Sequence, residues 1–297
     1  MNNSQIIYSI IIPHYTKTDT RLLERCVKSI PERDDVEILI ADNSPIEINS
    51  KLFSNRKNTT ILYSDKNKGA GCARNVGLLH ATGKWLIFAD ADDYFTEKAF
   101  EYFDYHINDS ADIIYFKTTS FDDSTMQEAK RHCRYNQLVD DYKSLLTQDN
   151  GFKLRVSHFV PVGKMIKKKM VDINNITFDE VPASNDIVFG TKTGLTAKTI
   201  NVDNNIVYCI SVTEGSLTRT KSLKNFTSRF YACCRCNDVL KQHGYPIRYS
   251  MGRNALKAKV YGWKYVWKFM CYALKTGNFY AGNRFRNIKY RESINHE

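Results

Sequence analysis

Three carboxylates, Asp90, Asp92 and Asp93, follow directly on the apolar run Trp85 to Ala89. Acids so crowded repel one another, and a hard divalent cation bridging them to phosphate oxygens would resolve the repulsion. Taken alone, the triplet equally describes a solvated loop or a helix cap, so its chemistry depends on what stands nearby. Upstream, Asn67-Lys68-Gly69-Ala70-Gly71-Cys72-Ala73-Arg74-Asn75-Val76-Gly77 joins glycines, which let backbone approach a ligand, to Lys68 and Arg74, two cations suited to a diphosphate. The segment lacks the Gly-x-x-x-x-Gly-Lys-Ser/Thr spacing of a P-loop NTPase. Earlier still come Pro13-His14-Tyr15-Thr16 and Asp42-Asn43-Ser44. Tyr15 can stack on a base, and an ionised Asp42 can accept the imide N–H that uracil, thymine and guanine carry and adenine and cytosine lack. Each also has a plainer reading: Pro13 ends a strand, Tyr15 is a half-buried ring, and Asp42 caps a turn.

The elements that must position these groups are legible as apolar runs. Ile6 to Ile12, Val36 to Ala41, Thr59 to Tyr63, Trp85 to Ala89, Ala111 to Phe116 and Ile206 to Val212 read as strands. Leu22 to Ile30 reads as a helix with Arg, Glu and Lys outward, and Gly69 to His80 as a helix entered through glycines. Strands alternating with helices predict an α/β fold with a doubly wound, mostly parallel sheet. In such a sheet ligands bind beyond the carboxyl ends of the strands, where all three acidic or polar loops would meet. Phe121 to Gln137 shows no period and predicts a long polar connection.

With 297 residues and 42% apolar content, the chain suits one large or two modest domains. Its eight cysteines have no regular spacing and no basic-then-apolar leader precedes them, which points to a reducing cytosol rather than a secreted disulfide scaffold. No window approaches the ~18 uncharged apolar residues of a membrane span. The net charge of +11 is unevenly placed: from Lys221 onward 16 Lys/Arg face 3 Asp/Glu, so the first 220 residues are close to neutral.

The ordered set Ile-Ile-Pro-His-Tyr, Ile-Leu-Ile-Ala-Asp-Asn-Ser, Asn-Lys-Gly-Ala-Gly-Cys-Ala-Arg-Asn-Val-Gly and Phe-Ala-Asp-Ala-Asp-Asp resembles family 2 of the inverting glycosyltransferases, with the GT-A fold, over about the first 220 residues. The resemblance implies a bacterial enzyme that uses a nucleotide sugar, most simply a UDP-sugar, with Mn²⁺ or Mg²⁺ on the diphosphate. By that analogy Pro13, Tyr15 and Asp42 hold the base, Asp90 and Ala91 the ribose side, and Asp92 the metal. Lys68, Gly69 and Arg74 border the nucleotide. Thr16 departs from the Asn that many relatives carry there. Inversion also needs a base opposite the leaving diphosphate. Family members place it in a Glu-Asp pair opening a helix, and here Asn185-Asp186 matches, so Asp186 falls on the base and Asn185 replaces the Glu. A carboxylate that merely favours a helix start is the alternative, and Asp179 and Glu180 are fallback bases. Pro161 to Ile166 and Glu214 to Arg219 also resemble the family, the latter as a loop that touches donor phosphates or simply lies on the surface.

The expected organisation is a catalytic domain over 1–220, split into a nucleotide-binding half, 1–117, and an acceptor half, 118–220, followed by a basic helical region over 221–297. In that tail Leu256, Val260, Trp263, Trp267, Met270 and Leu274 form one apolar stripe in a helix from Ala255 to Leu274, with Lys257, Lys264, Lys268 and Lys275 beside it. Such a helix either lies in an anionic membrane interface or packs on the core. Cys233, Cys234 and Cys236 read as buried helical thiols rather than a zinc site. The leading expectation is a cytoplasmic enzyme, peripheral on the inner membrane face, that extends a glycan or lipid-linked acceptor for capsule, lipopolysaccharide or cell wall. Two alternatives are a sugar-phosphate nucleotidyltransferase and a non-catalytic protein that binds nucleic acid or lipid through the tail. The near-neutral first 220 residues offer no basic groove for nucleic acid.

Overall fold

The computed structural model describes residues 5–15, 20–49, 51–65, 68–125, 127–212 and 222–279. The first half runs β1 (Tyr8–His14), α1 (Arg21–Lys28), β2 (Val36–Asp42), β3 (Thr59–Tyr63), α2 (Ala70–His80) and β4 (Trp85–Phe88). There follow β5 (Tyr94–Phe95), α3 (Ala99–Asp104), β6 (Ile113–Asp122), β7 (Gln127–Glu128), α4 (Cys133–Ser144), α5 (Gln148–Ser157), β8 (Lys164–Lys167) and α6 (Lys168–Ile173). The last part is α7 (Asp186–Thr196), β9 (Ile200–Val212), α8 (Leu223–Gln242), α9 (Met251–Leu256), a 3₁₀ turn (Lys257–Tyr261) and α10 (Trp263–Lys275).

One sheet carries all the strands in the order β3-β2-β1-β4-β8-β6-β9-β5, with β7 against β6. The block β3-β2-β1-β4 is parallel, as the alternation of strands and helices predicts. Beyond it β8 runs antiparallel to both β4 and β6, so the sheet is mixed. The chain winds from β1 out to β3 and returns on the other side as β4. The direction of winding therefore reverses between β1 and β4, and a crevice opens at their carboxyl ends.

Strands buried on both faces explain the unbroken apolar runs. Ile10, Ile12, Ile38, Ile40, Trp85 and Ile87 point to one side, where Leu23 and Val27 of α1 and Phe100 and Phe103 of α3 meet them. The alternate residues Ile11, Leu39, Leu86 and Phe88 point to the other, against Leu154, Phe178 and Phe189. Phe178 and Phe189 stack with ring centroids 3.8 Å apart and bracket the segment that leads into α7.

Three expectations are corrected here. The stretch from Phe121 to Gln137 is not a plain connection: it holds the end of β6, the short β7 and the start of α4. Polar residues hid β6 beyond Phe116, although Thr118 and Ser120 are buried between its neighbours. The tail is not one helix from Ala255 to Leu274. Gly262, at φ 116°, ends the 3₁₀ turn and starts α10 afresh, a conformation that favours glycine. Nor does the predicted stripe face the core. Val266, Phe269 and Ala273 are the buried side of α10, whereas Trp263 and Trp267 are 67% and 66% exposed. The buried side packs with Phe230, Cys233, Cys234 and Cys236 of α8 and with Val156 and Ile187, so the tail shares a core with α5 and α7.

Candidate functional site

The crevice at the ends of β1, β2 and β4 gathers most of the groups singled out in the sequence. Register sets Pro13 beside Ala41 and His14 beside Asp42. Tyr15 follows, half-exposed, while Pro13 is buried. Asp42 is not an open acceptor. Its Oδ1 takes hydrogen bonds from His14 Nδ1 at 2.9 Å, Ser44 Oγ at 2.5 Å and Ser44 N at 3.3 Å, and its Oδ2 takes one from Ile48 N at 3.0 Å. Burial pushes this carboxyl up, but those donors outweigh burial and hold it below the usual carboxylate range. Asp42 thus shapes the β1–β2 end from within and orients His14, which the sequence reading passed over.

At the end of β4 the three acids separate. Asp93 is buried and its Oδ1 accepts from Ser211 N of β9 at 2.7 Å, so it does not line the crevice as expected. Burial, with Asp90 and Asp92 close by, pushes the Asp93 carboxyl well up. Asp90, Ala91 and Asp92 form the turn itself. Asp90 N donates to the Tyr208 hydroxyl at 2.8 Å, and Arg25 Nη2 donates to the Asp92 carbonyl at 2.5 Å. Arg25 is therefore not an outward helix residue. It spans the Asp123 carboxylate, Ser211 Oγ and the acidic turn, and nothing in its local sequence announces that reach. Asp92 makes no ion pair among the described residues, and burial followed by the Asp90 charge pushes its carboxyl up to about 6.

A dication would fit there. The donor is hard oxygen, Asp92 forms no ion pair among the described residues although the charges of Arg131 and Arg25 reach it, and no three ligand-type side chains converge among those residues. The remaining coordination would come from phosphate oxygens and water, as for Mg²⁺-type sites.

Arg74 connects this turn to the candidate base. The residue is 6% exposed, and its guanidinium donates to Asp90 Oδ1 at 2.5 Å and to Asn185 Oδ1 at 2.7 Å while lying 5.3 Å over the Phe178 ring. Asn185 precedes Asp186, the first residue of α7. An amide oxygen at 185 satisfies one arm of Arg74 without adding a second negative charge. Burial pushes the Asp186 carboxyl up, against the pull of Arg74, while Asp90 adds to the rise and Lys164 opposes it. Asp179 is no rival, because Arg235 of α8 grips its Oδ2 with Nε at 2.9 Å and Nη2 at 2.7 Å.

The glycines of α2 admit close approach of other parts of the chain. A Cβ at Gly71 would lie 2.1 Å from the Asp179 carbonyl oxygen and 3.0 Å from Asn185 Cβ, so only glycine lets α2 touch the segment before Asp186. Gly69, at φ 86°, turns the chain into α2 beside the Val181 carbonyl. Asn75 completes the clasp, its amide bonded to both Phe178 N and Phe178 O. A lone Asn among small residues of a buried helix was the available signal for it. Lys68 is about half-exposed and pairs with Asp65. Thr16 and the Glu214–Arg219 loop lie outside the described residues.

Comparison with known proteins identifies the family and the fold. The family model for glycosyl transferase family 2 matches residues 9–172, more than half of the chain. A poly(ribitol-phosphate) beta-glucosyltransferase of Bacillus spizizenii is 25% identical over 211 residues, 67% of this chain and 31% of its own length. The chain spans about a third or less of the curated relatives it matches. Among solved structures, S. aureus TarS 1–349 in complex with UDP-GlcNAc superposes with a TM-score of 0.59 at 16% identity, covering 91% of this chain and 73% of that one. A Pyrobaculum calidifontis mannosyltransferase with GDP-Man and Mn²⁺ gives 0.51 at 13% identity, covering 92% and 76%. The fold is that of these GT-A-like enzymes, and the chain belongs to glycosyl transferase family 2.

Proposed function

We propose that this chain catalyses inverting transfer of a sugar from a nucleotide-sugar donor, most simply a UDP-sugar, to a hydroxyl of a bacterial cell-surface glycan or lipid-linked saccharide. One observation carries the reading: Arg74 ties Asp90, at the donor end of β4, to Asn185, and so sets Asp186 beside the donor turn. In this reading Asp186 takes the proton of the attacking hydroxyl while the sugar's bond to the diphosphate opens on the opposite face. Tyr15 stacks on the base, and Asp90 and Ala91 lie along the ribose. Asp92 holds a divalent cation, Mn²⁺ or Mg²⁺, whose charge would offset that of the departing diphosphate. One relative is named for minor teichoic acid biosynthesis and another as a poly(ribitol-phosphate) beta-glucosyltransferase, which supports a cell-surface acceptor here.

A panel of UDP-, dTDP- and GDP-sugars, each with Mn²⁺ or EDTA, tests this. Slow manganese-dependent hydrolysis of one UDP-sugar is expected. Release of pyrophosphate from a sugar phosphate and a nucleoside triphosphate, without donor hydrolysis, would mark a nucleotidyltransferase and overturn the reading.

The same proposal extends to location. Among the described residues no helix is long and apolar enough to cross a membrane. Trp263, Trp267 and Leu274 stand exposed along α10, with Lys264, Lys268 and Lys275 exposed beside them. Indoles at headgroup depth and a row of ammonium groups suit the anionic surface of a bilayer. In sedimentation with phosphatidylglycerol vesicles, Trp263→Ser/Trp267→Ser should reduce the bound fraction, with an apparent partition constant lower by about tenfold or more. Binding to neutral phosphatidylcholine should be weak. Unchanged binding by the double variant, or a concentration-dependent dimer abolished by it, would assign this face to something other than lipid.

A further inference from the structure

We propose that Arg25 is a positioning residue for the cation site: held by Asp123, it fixes the main chain of Asp92 to the end of β9 and so presents the Asp92 carboxylate to the metal. The inference rests on Asp92 holding the cation and adds what keeps that carboxylate in place.

The ladder that would hold the turn stops short of it. β5 is two residues long and pairs antiparallel with β9, Tyr94 opposite Cys209 and Phe95 opposite Tyr208. Continued by two residues, that register would set Asp92 opposite Ser211. There the pairing lapses, and the Ser211 N–H goes instead to the Asp93 carboxylate at 2.7 Å. Arg25 closes the gap from the side. Its Nη2 donates to the Asp92 carbonyl at 2.5 Å and to Ser211 Oγ at 2.7 Å, and that carbonyl takes no other hydrogen bond among the described residues.

Arg25 is itself held on two sides. Its Nη1 donates to both oxygens of Asp123 at 3.1 Å, and its guanidinium carbon lies 4.9 Å over the Tyr94 ring. Asp123 directly follows β6, and its N–H donates to the Val212 carbonyl, the last of β9, at 3.1 Å. One planar group from α1 thus ties the donor turn to the ends of β6 and β9.

Two properties of this link bear on the cation. A guanidinium presents its donors in a fixed fork, so it serves a carboxylate, a carbonyl and a hydroxyl at once, which a lysine ammonium does not. The ion pair of Arg25 is with Asp123 and not with the Asp92 carboxylate, so the charge at Asp92 stays open to a metal.

The test is UDP binding to the full chain in Mn²⁺ and in EDTA, measured by titration calorimetry, with thermal melting of each variant. Arg25→Gln should weaken binding in Mn²⁺ by about tenfold or more and leave binding in EDTA within about twofold. Arg25→Lys should lose less, and Asp123→Asn should shift binding in the same direction. Because Asp123 acts through Arg25, the double variant Arg25→Gln/Asp123→Asn should bind no more weakly than Arg25→Gln alone. Arg33→Gln is the control for a lost ion pair: Arg33 bridges Asp35 and Asp104 at the other end of β1, near Tyr8. That change should lower the melting temperature and leave the manganese-dependent gain as it was. An unchanged gain in Arg25→Gln, an equal loss in Arg33→Gln, or additive losses in the double variant overturns the inference. If Arg25→Gln does not fold, the same ratio in Arg25→Lys and Asp123→Asn decides the matter. Should the parent show no manganese-dependent gain, or Asp92→Asn keep it, the proposed cation site itself falls; should Asp92→Asn lose the gain while Arg25→Gln keeps it, only this inference does.

Discussion

Asp186→Asn should lower kcat for sugar transfer by about 10²- to 10⁴-fold and leave the Kd for UDP within about twofold. The asparagine keeps the shape of the first residue of α7 and can still accept a hydrogen bond, but it cannot take a proton. The same variant should melt at the parent's temperature or above it. Burial raises this carboxyl in the folded protein, so at neutral pH the unfolded chain holds the charge more readily than the native one does. Ionisation then opposes folding, and a neutral amide removes that opposition. Loss of activity with retained or increased stability separates a functional carboxylate from a structural one. The pH profile supplies a further check. Only ionised Asp186 serves as a base, so kcat should rise with pH along a limb above the ordinary carboxylate range, and that limb should vanish in the variant. Parent-like transfer by Asp186→Asn would remove it from the chemistry.

Asp92→Asn should weaken UDP binding in Mn²⁺ by about 10²-fold, roughly 2.7 kcal/mol, while leaving the weaker binding in EDTA unchanged. The contrast is available because the turn does not depend on the Asp92 side chain for its shape. Arg25 holds its carbonyl, Tyr208 holds the Asp90 amide, and Arg74 holds the Asp90 carboxylate. Removing one charge from Asp92 therefore alters what the turn binds more than how it folds. Calorimetric titration of UDP in the two buffers measures both numbers. If the manganese-dependent gain survives in the variant, the cation is held by other groups.

Much of the parallel half was legible because its strands are buried on both faces. Runs such as Ile10 to Ile12 and Ile38 to Ala41 leave little else for the chain to be. What stayed hidden depended on partners far away in sequence. Antiparallel β8 shows itself only through its pairing with β4 and β6, and α4 buries only Leu138 and Val139 fully, too few to set a period. The candidate site followed the same division. Residue type identified which groups carry charge, the order of strands and loops set Asp90, Asp92 and Arg74 around one crevice, and the family resemblance added Asp186. It could not say which acids the protein would use on itself. Asp42 serves His14, Ser44 and Ile48, and Asp93 serves Ser211, because backbone donors at those places need an acceptor. Nor could it show that Gly71 makes room for the Asp179 carbonyl.

Gly71 also bears on how an enzyme of this kind is redirected. The obvious route to a new acceptor is to graft the later half of one relative onto the earlier half of another. Here the graft would have a hidden seam, since α2 and the stretch from Asp179 to Asn185 meet backbone to backbone. A chimera joined near residue 117 would inherit both sides of that contact from different parents. Unless the two sides were exchanged together, Asp186, the proposed base, would be set at the wrong distance from the donor turn.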